Sequence, residues 1–565
     1  MKRATTFISI FFTVLGSAQL PELSWGLHIG HSETVQTQNS LIRCDRYGNA
    51  YAVGHFEGEI DADPSTDNLL FNSLGANDLY IAKYSLTREL QWAIQLSGPG
   101  NLHCMDIEVE PEGDFVIAGS FNGNVDFDAG PGAFNLWSAG TYYDAFVAKY
   151  NATGELLWAF SIGTFTSSAA YVDKVDIDVN GVVCITGQVH GGPVDMDPAP
   201  VSSSLLTGNS TAFYLAKYNP DGTHILSFGY SGPSSIYSRG EGVEVTSDGS
   251  MIVLGQLQGT ANIDPHGLGT MLTTNHYFLA KYSRNGELMW MNELPFPAVT
   301  LITDDERGTI IIEGSVGDSV DIDPGAGVYY LSGPPGLVDI CCVTYYAMDG
   351  AFASAFSFGS CDDYDVPEVA LDAAGNIYMI GDFQDSIDID PASGTHMLVN
   401  PSRNVFVSSY TPEGELRWGF DLGAPSRDEL GFAIDVYADY FFITGTFSPV
   451  IDLDPGPEAA NQNSPGLGSD TFFAKYIDPL HTQTATGESI SMLPNPTNGQ
   501  ISVQGMAGKA YSVVVYDMLG NKVLESGPFE YQLWLDMRGL ADGVYAVDVY
   551  SGTDRVETSK VILTK

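Results

Sequence analysis

The sequence predicts an all-β protein: a seven-bladed β-propeller closed by a strand from near the N-terminus, followed by a small C-terminal β-sandwich. Three observations lead there. A unit of about 65 residues recurs seven times. Its segments are short, rich in β-branched and aromatic residues, bounded by Gly, Asp and Pro, and free of any sustained 3.6-residue periodicity. The last unit lacks its final strand, and a matching segment stands alone at the other end of the chain.

Composition limits the function classes. The chain has 565 residues, with 23 Lys and Arg against 70 Asp and Glu, a net charge of −47. Phosphate recognition needs clustered cations, so nucleic acid and anionic membrane are excluded as partners. With 44% apolar and 12% aromatic residues the chain has material for a core, unlike a disordered polymer.

In chain order, Lys2 and Arg3 precede an apolar run at 7–15, and Gly16-Ser17-Ala18 supplies small residues before Gln19. That order predicts a secretory signal peptide over 1–18. The run is far shorter than the roughly 20 residues a spanning helix needs, and no later stretch reaches that length, so no transmembrane segment is expected in the mature chain.

The propeller is expected over 19–479. Each unit opens with a Gly turn and a strand, as at Gly48-Asn49-Ala50-Tyr51, Gly113-Asp114-Phe115-Val116 and Gly375-Asn376-Ile377-Tyr378. An acidic signature follows: Asp61-Ala62-Asp63-Pro64, Asp126-Phe127-Asp128, Asp195-Met196-Asp197, Asn262-Ile263-Asp264, Asp321-Ile322-Asp323, Asp388-Ile389-Asp390 and Asp452-Leu453-Asp454. Their first positions are 65, 69, 67, 59, 67 and 64 residues apart. Next comes a strand ending in Lys-Tyr at 83–84, 149–150, 217–218, 281–282 and 475–476. Ser409-Tyr410 replaces it once, and around Tyr345-Tyr346 the alignment slips by one residue. The unit ends on a strand bearing Trp92, Trp158, Phe228, Trp290, Phe356 or Trp418. The seventh unit stops at Tyr476, while Trp25 sits in an orphan strand at 22–30. Pairing the two ends closes a ring and hides two sheet edges, which an open solenoid would leave to caps.

These repeats resemble the SBBP family of bacterial β-propeller repeats over roughly 22–478. The resemblance rests on the Gly-Asn-x-Tyr strand, Asp144-Ala145-Phe146-Val147-Ala148-Lys149-Tyr150, and Gly154-Glu155-Leu156-Leu157-Trp158. It implies a fold and leaves the activity open.

Residues 480–489 are polar, without apolar alternation, and are expected to be a linker. From 490 the repeat vanishes. Pro494-Asn495-Pro496, Gly543-Val544-Tyr545 and the terminal Lys560 and Lys565 follow one another among short apolar strands, a spacing suited to a small sandwich over 490–565. These motifs resemble the C-terminal sorting domain of type IX secretion. The resemblance implies the type IX secretion machinery as partner, and the extracellular space or outer-membrane surface of a Gram-negative bacterium as destination. Residues 490–565 carry a net charge of −2 and residues 19–489 one of −47, so the acidity belongs to the repeats.

The acidic signature is the one repeated constellation with metal-ligand character. Asp61, Asp63, Asp126, Asp128, Asp195, Asp197, Asp264, Asp321, Asp323, Asp388, Asp390, Asp452 and Asp454 place paired carboxylates on loops, as Ca²⁺ sites do. No copy has the longer alternation that fills a Ca²⁺ shell locally. A structural role is favoured, with the carboxylates accepting from loop amides and pairing with the neighbouring Lys of Lys-Tyr. Trp137, Tyr142 and Tyr143 fall in a loop outside the repeat positions and offer a platform for sugar stacking or protein contact. Cys341-Cys342 either alternate across a strand or form a vicinal bridge, with burial favoured. No local catalytic motif is present. No catalytic residue is assigned, and the expected function is a non-enzymatic binding or adhesion module for protein or glycan. The alternative is a secreted polysaccharide hydrolase or lyase whose carboxylates gather at the central channel from several blades.

Overall fold

The computed structural model describes residues 20–480 except 31–37, 64–68, 139–141, 164–168, 192, 200–204, 207–210, 231–236, 267–270, 275, 318–319, 332–338, 360–366, 393, 424–427 and 465–467. Beyond 480 it describes 491–493, 500–504, 510–516, 522–530, 532–541, 543–551 and 554–563. The expected signal peptide, the linker residues 481–489, Pro494-Asn495-Pro496 and Cys361 lie outside the described residues. The chain divides into two compact units, Met1–Pro479 and Leu480–Lys565. Among the described residues there is no helix.

The strands of the first unit fall into seven antiparallel four-stranded sets, and none closes into a barrel. The first set is Gln38–Cys44, Ala50–Phe56, Asp78–Tyr84 and Leu90–Leu96, hydrogen-bonded in that order. The next five repeat the meander, opening on Leu102–Val109, Ala169–Ile177, Tyr237–Val245, Ala298–Asp304 and Glu368–Leu371. A parallel bridge, Thr211 to Tyr237, links the third and fourth sets. The seventh set comprises Leu430–Tyr437, Tyr440–Phe447, Asp470–Ile477 and, at its edge, Glu22–Ile29. Trp25 lies opposite Lys475 and Leu27 opposite Phe473, so the orphan strand completes the unfinished sheet as its sequence predicts.

The two central strands of each set are buried on both faces, so their sequences read as continuous apolar runs such as Phe115–Phe121. Core clusters lie between successive sets. One joins Tyr51, Val53 and Leu79 of the first to Ile107, Phe115 and Phe146 of the second. Another joins Val405 and Trp418 of the sixth to Ile434, Phe441 and Tyr476 of the seventh.

The outer-strand tryptophans cross these seams. Nε1 of Trp92 donates to Ala152 O (3.0 Å), of Trp158 to Pro220 O (2.9 Å) and of Trp290 to Met348 O (3.0 Å), each in the turn of the next set. Trp25 of the seventh set donates to Leu86 O of the first (3.1 Å), the same bond across the last seam. The receiving turns need glycine. Gly154 and Gly222 have φ of +81° and +83°, and a Cβ would stand 3.3 and 3.0 Å from the rings of Trp92 and Trp158.

In the second unit, Ser491–Leu493, Gln500–Gln504 and Gln532–Asp536 form one sheet; Lys522–Glu530, Ala510–Tyr516, Gly543–Ser551 and Asp554–Leu563 form another. They share one core that includes Ile501, Val503, Val513, Leu535 and Val547.

Cys341 is disulfide-bonded and Cys342 is a free, buried thiol, so the adjacent pair does not bridge. Tyr346 pairs where other sets carry the Tyr of Lys-Tyr, and Tyr345 takes the Lys place, which resolves the alignment slip.

Candidate functional site

Carboxylates gather in two places: the repeated signature and a cluster on the inner strands that the sequence does not single out.

In the signature, the residue between the acidic positions is buried every time: Ala62, Phe127, Met196, Ile263, Ile322, Ile389 and Leu453. Strand alternation turns the flanking carboxylates outward, onto short hairpins such as Glu59–Asp61 with Leu70–Asn72 and Asn124–Asp126 with Asn135–Trp137. There they accept from backbone amides. Asp61 Oδ1 receives the N–H of Asp63 and of Leu69, both at 3.0 Å. Asp126 receives Asp128 and Phe134, Asp321 receives Asp323 and Tyr329, Asp388 receives Asp390 and His396, and Asp452 receives Asp454 and Ala460. Asp195 receives Asp197. The second carboxylates Asp128, Asp197, Asp264, Asp323, Asp390 and Asp454 each take the N–H two residues on. Among the described residues no group of three or more His, Cys, Asp or Glu is arranged to hold a metal ion.

The expected pairing of these aspartates with the repeat lysines is replaced by another contact. The tyrosine of Lys-Tyr reaches the hairpin in all seven sets, where its hydroxyl donates to the carbonyl between the acidic positions. Tyr150 to Phe127 O is 2.9 Å, Tyr218 to Met196 O 2.8 Å and Tyr476 to Leu453 O 2.7 Å; Tyr84, Tyr282, Tyr346 and Tyr410 bond alike. Neighbours on a strand face opposite ways, so a Tyr turned to the hairpin sends its Lys to the other face. Lys83 accordingly meets Asp45 (3.2 Å), Lys149 meets Glu110 (2.5 Å), and Lys217 and Lys475 donate to Gly249 O and Leu86 O. Where Ser409 stands for Lys, Arg417 supplies the cation, donating to Ser409 Oγ and to Asp478.

The second carboxylate cluster lines a cavity of about 340 Å³ to which the first strand of every set contributes. Asp106, Glu108, Asp176, Glu244, Glu368 and Asp435 face it together with Arg43 and Lys174. Some of these groups stitch neighbouring sets. Asp435 accepts from the amide of Cys44 (2.6 Å), Asp106 from Val175 (3.0 Å) and Asp176 from Val245 (2.5 Å). Arg43 lies 3.6 Å from Asp106 and 3.7 Å from Glu108, and Lys174 lies 3.9 Å from Glu368. Burial, then the charge of Asp176, raises Glu108 well above the usual carboxylate range; burial, then Glu244, does the same to Asp176. Burial, then Glu108, pushes Glu244 up to about 8, against hydrogen bonds from Thr303. The six carboxylates come from five inner strands, Asp106 and Glu108 sharing one, and only the meeting of the strands reveals them as a cluster.

The family comparison bears on the second unit. Residues 491–564 match the secretion system C-terminal sorting domain. That domain directs export by type IX secretion to the cell surface or extracellular space, and it implies contact with the secretion machinery. A curated relative, an uncharacterized WD repeat-containing protein of Acanthamoeba polyphaga mimivirus, is 24% identical over 333 residues. The match takes in 48% of this chain, which spans only 24% of that relative's length. Among solved structures, PorZ of Porphyromonas gingivalis, a surface component of type IX secretion, aligns over 93% of this chain and 75% of its own at 10% identity and a TM-score of 0.30. A Dyadobacter fermentans protein of unknown function aligns over 81% of this chain and 99% of its own, at 9% identity and a TM-score of 0.34. Superpositions this loose transfer no property to this chain. No helix of the described residues is long and apolar enough to cross a membrane.

Proposed function

We propose that the protein is a type IX-exported binding module, in which the seven sets are the blades of a closed β-propeller and the signature hairpins present its contact surface. The propeller reading is supported by the seam bond of Trp25 and by the cavity shared among all seven inner strands. It carries with it the SBBP-like reading of the repeats, a propeller domain ending at 479 and a signal peptide removed on export. The binding reading rests on one observation: the hairpins expose large apolar side chains at repeated positions. Met271, Tyr330, Leu70 and Met397 each lie opposite the first acidic position and are 49–60% exposed, and Trp137 on the second hairpin is 68% exposed. Held by backbone bonds to aspartate, such a display is a pre-organised apolar contact surface. The expected occupant is a protein or glycan of the cell surface.

Retention of purified protein on intact cells of the producing bacterium tests this. Joint Leu70→Ser, Trp137→Ser and Tyr330→Ser replacement is expected to cut retention at least about tenfold; unchanged retention refutes the reading. One observation favours a second reading, a polysaccharide hydrolase or lyase: a carboxyl group pushed up to about 8 in a carboxylate-lined cavity suits a general acid. Product release from a polysaccharide panel, abolished in Glu244→Gln, would establish it.

A further inference from the structure

One face of the second, third and fourth sets departs from the repeat. In the first strand of each set, one residue pairs with the position just after the glycine of the second strand. It is His103, Tyr171 and Arg239 in the second, third and fourth sets. The corresponding residues of the fifth and seventh sets are Pro297 and Leu430. Among the described residues at this position in these five sets, the charged and aromatic occupants are those of the second, third and fourth.

There they build a continuous row of rings. His55 of the first set lies 5.6 Å from His103, His103 lies 5.7 Å from Tyr143, Tyr143 lies 6.1 Å from Tyr171, and Tyr171 lies 5.6 Å from His190. Tyr143, which the sequence groups with Trp137 and Tyr142, belongs to this row, whereas Trp137 lies on a hairpin. Beyond His55, which is buried, the row is half-exposed. Two of its members, His103 and Tyr171, sit on inner strands just ahead of the cavity-lining residues Asp106 and Lys174. Polar groups flank it at fixed positions. Asn101 donates to the Tyr143 hydroxyl (3.0 Å), and Arg239 forms a two-point pair with Asp173 (2.9 and 3.1 Å). The amide oxygen of Gln188, opposite Tyr171, has no hydrogen-bond partner among the described residues. Burial lowers the pKa of both His103 and His190, so their rings are neutral at neutral pH.

We propose that the row from His103 through Tyr143 and Tyr171 to His190 is a binding site for an extended neutral saccharide, and this rests on the binding reading above. Rings interleaved with amide and guanidinium groups suit a ligand that has apolar faces and polar edges. The run across two adjacent sets, four rings spaced 5.6 to 6.1 Å apart, suits a chain rather than a single sugar. The protein's charge of −47 disfavours acidic polymers.

Affinity electrophoresis of the full-length protein through gels containing laminarin, xylan, galactomannan or, for contrast, alginate provides the test. Retardation by at least one neutral polysaccharide is expected, weakened at least about tenfold in Tyr143→Ala and in His103→Ala. Tyr143→Phe, which keeps the ring, should stay within about threefold. Unchanged melting temperatures would show that the variants remain folded. No retardation by any neutral polysaccharide overturns the site, as does full retardation of both ring-deletion variants. Loss in Trp137→Ala with retention in Tyr143→Ala also overturns it, while leaving the hairpin reading standing.

Discussion

Tyrosine, the more ordinary half of the Lys-Tyr motif, is the residue that couples each set to its acidic hairpin. Its hydroxyl bonds the one carbonyl that the buried signature residue carries inward. Tyr476→Phe removes the 2.7 Å bond to Leu453 O at a fully buried site and leaves that carbonyl without its donor. The expected loss is about 1–2 kcal/mol, read as a lower midpoint in urea unfolding with an unchanged slope. The same change on Tyr47, whose hydroxyl bond to Glu112 is exposed, should leave the midpoint in place. The sequence displays the Lys-Tyr pair but not its wiring, because a motif gives spacing while the facing of its members depends on which partner the strand meets.

Among elements, the acidic hairpins and the orphan strand give the sharpest tests. Asp126 holds two amides with one oxygen, so Asp126→Ala should cost about 1–3 kcal/mol, measurable by thermal or urea unfolding. Since these carboxylates already accept from backbone amides, neither added Ca²⁺ nor a chelator should move the melting temperature of the wild type. A chelator-reversible rise with Ca²⁺ would restore the metal reading of the signature. Removing residues 22–30 uncovers the edge of Asp470–Ile477 and deletes the Trp25 bond across the last seam. The shortened protein should lose its single cooperative transition and associate through the open edge, as light scattering would record, and a synthetic peptide of residues 20–30 should restore monomers.

At the scale of the whole molecule, the shared cavity gathers six carboxylates and two cations, and it makes stability depend on pH. Glu244, pushed up to about 8, and Glu108 and Asp176, raised well above the usual range, bind protons more tightly folded than unfolded. Their contribution is therefore full below the ordinary carboxylate range and is lost as pH climbs toward about 8. The melting temperature should fall between about pH 5 and 8, and Glu244→Gln should flatten that slope. A melting temperature that rises through the window would contradict the cavity's electrostatics. Export belongs to this scale too: without residues 491–565 the protein should remain in the periplasm, as fractionation would show.

The sequence alone determined the strand content, the sevenfold count of units, the complementary ends and the secretion tail. Each of these is written in local spacing and alternation, which a linear pattern preserves. Only the tertiary structure decided which face each lysine takes, that Glu108, Asp176 and Glu244 share one cavity, and that His103, Tyr143 and Tyr171 form one row. The carboxylates come from different repeats and meet because inner strands converge, while the rings, more than 25 residues apart, meet at the seam between the second and third sets; no local pattern records either meeting.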